Sequence, residues 1–162
     1  MITVRDVTTP HELRYDALAS HVGCLFGPTA PLIMSQQLIE AFAGTTGDRQ
    51  WVHVDADRAT RELGGTIAHG YLILSLIPRF TAGLIVVTGV SHGLNYGVNR
   101  VRFPASARAG SAVVATQAII DVEPKGGGTL VKSEMVIKTM GGDRPTCVAE
   151  TLVLLFPGDG RH

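Results

Sequence analysis

The run Ala68 to Phe80, AHGYLILSLIPRF, constrains this chain more than any other stretch, because it is apolar almost all the way round. Tyr71, Leu72, Leu74, Ser75, Leu76 and Ile77 leave no polar face, so a helix here has to be surrounded by protein. Pro78 lacks a backbone donor and is expected to kink the helix or end it nearby. A short apolar run also fits a buried strand. The pattern that follows favours the helix, since a strand-rich second half needs something to wrap.

From Val86 onward the periodicity is that of long strands. Ala112 to Glu123 and Thr129 to Met140 flank Lys125-Gly126-Gly127-Gly128, a hairpin signal. In the second of these, Val131, Met135 and Ile137 share one face, and Lys132, Glu134 and Lys138 the other, as in a half-solvated antiparallel sheet. A turn at Gly141-Gly142-Asp143 leads to Thr146–Phe156, a more apolar and therefore central strand, and Leu94–Phe103 completes at least four. The expected class is α+β, a long antiparallel sheet curled round one buried helix. With 162 residues, 45% hydrophobic and 17% charged, one domain over 1–162 is expected.

The first half reads as helices and irregular segments. Thr9-Pro10 followed by HELRYDALASH predicts a capped short helix. GCLFGPTAPLIM, over 23–34, leaves room only for short strands. Ser35 caps a helix carrying Leu38, Ile39, Phe42 and Ala43, and Gly47 fits the left-handed stop just past its end. A second helix is expected from Asp55 to Gly64-Gly65.

The chemistry concentrates in TGDRQWVHVDADRATRELGGTIAHG, over 46–70. Asp48 and His53 stand in a loop between helices, able to lie over one point in space. A carboxylate and a neutral imidazole together can bind one water, withdraw its proton and return a proton to carbon or to a leaving hydroxyl. His69-Gly70 then opens the apolar helix, whose first N–H groups are unpaired and partially positive. Aimed at a carbonyl oxygen they would stabilise an enolate, and Gly70 lets a substrate approach the backbone. The blander alternatives are a solvated turn carboxylate for Asp48 and an interior histidine for His53. For His69 a structural role at the helix start is the better fit. His11, His21, His92 and His162 have no supporting context.

TGDRQWVH and GGTIAHGYLILSL resemble the MaoC-like dehydratases, the group that includes the (R)-specific enoyl-CoA hydratases, and within it a nodulation-protein-N-like branch. Gly47, Asp48, His53, His69 and Gly70 match that pattern, and NYGVNRVRFPA at 95–105 resembles the strand that follows the helix. Gln50 and Trp51 replace the Asn-Pro of the broad family, and Pro78 replaces a serine found in some hydratases, which puts the substrate in doubt. The resemblance implies a hot-dog fold and reversible hydration of a trans-2-enoyl thioester to an (R)-3-hydroxyacyl thioester. Asp48 and His53 would hold the water and the Gly70 N–H the thioester oxygen. Gln50, Trp51, His69 and Tyr96 are substrate-binding candidates. It also implies no metal or organic cofactor, a homodimer, and a substrate carried on coenzyme A or a carrier protein. A carrier-bound dehydratase, a double-bond isomerase and a non-catalytic acyl-thioester-binding module are the alternatives.

Balanced charge, 14 basic against 14 acidic residues, offers no field for nucleic acid. No apolar run is long enough to span a bilayer as a helix. The charged N-terminus reads against a secretory signal, and Cys24 and Cys147 lie apart, as free thiols of a reducing compartment do. A cytoplasmic location is the resulting expectation.

Overall fold

The structure, a computed structural model, describes residues 4–5 and 9–158. His162 and, of the N-terminal segment read against a secretory signal, residues 1–3 and 6–8 lie outside them. Two-residue strands β1 (Val4–Arg5), β3 (Leu25–Phe26) and β4 (Leu32–Ile33) fringe a sheet of four long strands: β6 (Val90–Arg102), β7 (Ala112–Lys125), β8 (Gly128–Thr139) and β9 (Pro145–Pro157). The order is β1-β3-β7-β8-β9-β6, with β4 also on β7. The long pairings are all antiparallel. The expected hairpin is present, Lys125 pairing with Gly128 across Gly126 and Gly127, both at positive φ. β9 is central, between β8 and β6.

The helical first half closely follows its caps. Helix α1 (Gln36–Thr46) begins where Ser35 Oγ accepts the Leu38 N–H at 3.2 Å, a cap worth about 1 kcal/mol. It stops at Gly47, with φ 78°, a conformation only glycine adopts freely. A single turn, α2 (Trp51–Val54), precedes α3 (Ala56–Leu63), which Asp55 caps and Gly64 ends. The segment holding His53, expected as loop, is therefore one turn of helix.

Two expectations are corrected. His11–Arg14 is a strand, β2, running parallel to β5 (Ile85–Thr88), and only Tyr15–His21 coils, as a 3₁₀ helix. Leu13 is buried while Glu12 and Arg14 are exposed, so the period there is two, and β5 takes the backbone bonds a helix would have made internally. The apolar run is two helices, α4 (Gly70–Ser75) and α5 (Ile77–Leu84), because Pro78 falls in the first turn of the second and has no N–H to continue the first. Leu72, Ile73, Ile77 and Phe80 are buried, but Tyr71 is 70% exposed and Ser75, Pro78 and Arg79 are also open. In one chain the helix is covered on one side only.

Leu72, Ile73, Ile77 and Phe80 pack with Met34, Ile39, Val113, Met135, Ile137 and Ala149 into the main core. Leu84 and Ile85 join a second cluster with Leu13, Leu18, Phe26 and Ile119. The sheet thus curls round α4 and α5 as the hot-dog arrangement requires, and holds the start of α4 fixed beneath the α1–α2 turn.

Candidate active site

Asp48 follows directly on the glycine that stops α1, so its direction is set by that turn. Its N–H donates to Thr46 Oγ1 at 3.3 Å, and its Oδ1 accepts the Gln50 N–H at 3.4 Å. His53, 8% exposed, hangs from α2. Its Nδ1 lies 2.7 Å from the Ile67 carbonyl, which can only accept. In the neutral ring the proton is therefore on Nδ1, and Nε2 carries the free lone pair. His69, the residue before α4, is 3% exposed, and its Nε2–H donates to the Asp48 carbonyl at 2.9 Å. Its Nδ1 is buried without a partner.

The two imidazoles stack, centroids 3.7 Å apart and planes 25° from parallel, with Phe42 5.1 Å from His69. Asp48, His53 and His69 each offer one ligand-type atom, all within 4.8 Å of one another. Donors of this kind can bind a divalent metal. They can equally hold one water by hydrogen bonds of ~2.8 Å. The group sits at the N-terminal end of α4, where the first amide N–H groups have no partner inside the helix.

Gln36, on α1, does not stand out in the sequence. Its Nε2 donates to the His53 carbonyl at 2.9 Å and its Oε1 accepts from Thr66 Oγ1, clamping the turn that carries His53 to the strand-like segment before His69. Nothing in a Gln seventeen residues from its partner advertises that role.

Among the other candidates, Gln50 is exposed, and its carbonyl accepts the His53 N–H at 2.9 Å. Gln50 thus links Asp48 to His53 through its backbone, its N–H to Asp48 Oδ1 and its carbonyl to the His53 N–H. Trp51 is half-buried, its ring covered by the Arg58 guanidinium 4.1 Å from the centroid. Tyr96 lies on β6 with the Lys125 ammonium 4.5 Å above its ring. Gly70 opens α4, and a Cβ on it would come within 2.8–3.0 Å of the Phe103 ring. Packing against Phe103 is by itself a reason for a glycine here.

Beyond α4 a cleft of about 580 Å³ opens between the helices and the sheet. Leu74, Ser75, Ile77, Pro78, Thr81 and Ala82 line its helical side, and residues of β6, β7 and β9 the other. Pro78, where some hydratases have serine, is one of the lining residues and contributes only carbon. Among the two cysteines, Cys24 is half-buried and free, and Cys147 is free and buried, its thiol pushed up to about 11 by desolvation. Neither belongs to the Asp48–His53–His69 group.

Comparison with known proteins accords with this geometry. The family described as MaoC like domain matches residues 19–139. The 3-hydroxyacyl-thioester dehydratase Z of Mycobacterium tuberculosis is 41% identical over 138 residues, covering 84% of this chain and 91% of that one. Nodulation protein N of Rhizobium leguminosarum bv. viciae is 34% identical over 155 residues, covering 92% and 96%. An unliganded R-hydratase of Pseudomonas aeruginosa shares the fold, with a TM-score of 0.65 at 20% identity over 82% of this chain and 81% of that one. With motif, fold and relatives in agreement, the chain belongs to the MaoC-like dehydratase family and is a hydratase/dehydratase, a lyase.

Proposed function

We propose that this enzyme interconverts a trans-2-enoyl thioester and an (R)-3-hydroxyacyl thioester, with Asp48 and His53 acting on one water. The observation that carries this is the convergence of Asp48, His53 and His69 within 4.8 Å at the start of α4. In the hydration direction, His53 Nε2 takes a proton from the water as the water oxygen bonds to C3. Electrons move through C2 onto the thioester oxygen, which the Gly70 N–H receives as it becomes an enolate. The imidazolium then returns the proton to C2 as the enolate collapses. Asp48 accepts the second hydrogen of the water and keeps its lone pair directed at C3. Every atom of the water ends in the product, and no electrons leave the system. His69 braces the pair, stacking on His53 while tying its own ring to the backbone of Asp48.

The cleft past Leu74 and Ser75 takes the acyl chain, since these residues lie about one turn along the helix from Gly70. An exposed edge at β6 supports a homodimer. This strand is 13 residues long, pairs on one edge with β9, and leaves Leu94, Tyr96 and Val98 about half exposed. A second copy adding its own β6 there would pair the free edge and cover that surface. The free thiols support a reducing, cytoplasmic setting.

The test is loss of enoyl-thioester absorbance when the purified protein meets crotonyl-CoA and longer trans-2-enoyl-CoA, with each acyl group also presented on a carrier protein. The reading requires turnover of at least one pair and an (R)-configured product. Free thiol release in place of hydration would make the protein a thioesterase.

A further inference from the structure

The far end of the cleft holds a polar group that hydration alone leaves idle. Gln117, on β7, is 7% exposed and forms part of the cleft wall. Its Nε2 donates to Ser133 Oγ at 3.1 Å, while its Oε1 is buried with no partner. Around it the lining is largely carbon, including Ile77, Ile85, Val98 and Val153, and none of the lining residues is charged. A leucine in this place would fill the wall without leaving an amide unsatisfied, a state that opposes burial.

We propose that Gln117 determines specificity by hydrogen-bonding a hydroxyl group on the acyl chain, so that the preferred substrate is a hydroxylated enoyl thioester. This rests on reading the cleft as the acyl site. A hydroxyl both donates and accepts. Once the cleft wall shifts enough to open the buried amide, the hydroxyl donates to Oε1 as placed; with the amide turned over, Ser133 donates to Oε1 and the hydroxyl accepts from Nε2. A ketone only accepts and so pairs with the turned-over amide alone, whereas a hydroxyl serves either orientation. A carboxylate brings a charge that the lining does not answer.

The hydroxyl sits far from the thioester. β7 packs on α5, whereas α4, which carries Gly70, packs on β9. From Gly70 to Thr81 the helices advance roughly 16 Å at ~1.5 Å per residue. The group read by Gln117 is thus remote from the thioester and takes no part in the chemistry at C2 and C3.

The experiment compares trans-2-octenoyl-, decenoyl- and dodecenoyl-CoA with their ω-hydroxy counterparts, on wild type, Gln117→Met and Gln117→Leu. Binding of decanoyl- and ω-hydroxydecanoyl-CoA is measured in parallel by calorimetry. In wild type, the hydroxylated member of at least one pair should win by about tenfold or more in kcat/KM, because a site built for a hydroxyl is left unpaired by the plain chain. In both variants that ratio should fall to unity or invert, whatever the change in the plain-chain rate itself. A merely structural glutamine would lower stability without moving the ratio. Equal rates within every wild-type pair, as a trapped water on Gln117 would give, overturn the proposal and leave hydration standing. If no thioester is hydrated but ω-hydroxydecanoyl-CoA still binds tenfold tighter in a Gln117-dependent way, the hydration reading falls and the specificity assignment holds. Absence of both differences overturns the assignment.

Discussion

The two ends of the buried helical run differ in how they treat polar groups. At the start of α4, all but one of the ring and amide atoms are tied down: His53 to Ile67, His69 Nε2 to Asp48, and Gln36 to both His53 and Thr66, with only His69 Nδ1 left open. At α5, the cleft is wide and apolar, and the amide of Gln117 keeps one valence open. A site that must hold a reacting water to a fraction of an ångström needs rigid rings with a fixed tautomer. A site that selects among chains needs room and one discriminating contact. In this fold the division is made by Pro78, which breaks the run between the two ends.

That division is open to attack by mutation. The largest effect is expected at the closed end: Asp48→Asn and His53→Ala should each lower kcat by about 10²–10⁴-fold with little change in KM, read from the rate of enoyl-absorbance loss. Cutting the clamp with Gln36→Leu leaves the reacting groups in place but frees the turn that carries one of them. It should cost roughly tenfold in kcat, an effect that a change in chain-length preference must not accompany. Gly70→Ala drives a methyl against Phe103 and should destabilise the fold by about 1–3 kcal/mol, seen in chemical denaturation. Phe103→Leu in the same chain should recover part of that loss. On the β6 edge proposed to join two copies, Val98→Lys should shift the sedimentation profile toward monomer, with the cleft end losing affinity before the closed end loses chemistry. The smallest effect is expected from exhaustive dialysis against a chelator, which should leave the rate unchanged; a loss restored by one divalent ion would turn Asp48, His53 and His69 into its ligands.

Much of this was readable from residue order alone, and the failures have physical causes. The caps of α1 and α3 were legible because Ser35, Gly47, Asp55 and Gly64 act locally. The β7–β8 hairpin was legible for the same reason. His11–Arg14 was not, because its partner β5 lies some seventy residues away and decides between helix and strand by tertiary pairing. Asp48 and His53 were visible through their spacing before His69-Gly70, although the turn of helix between them was not. Phe103 meets Gly70, and Gln36 holds His53, only through contacts that sequence separation hides. The cations over Trp51 and Tyr96 are likewise contacts that residue order does not reveal, Lys125 being far from Tyr96 in sequence.

The central claim is that one water answers to both Asp48 and His53. The most direct test is the kcat of the Asp48→Asn/His53→Ala double variant beside the two singles, on the best thioester found. Groups that serve a single water fail together, so the double should be about as slow as the slower single. Losses that multiply would place the carboxylate and the imidazole in separate steps and contradict the mechanism.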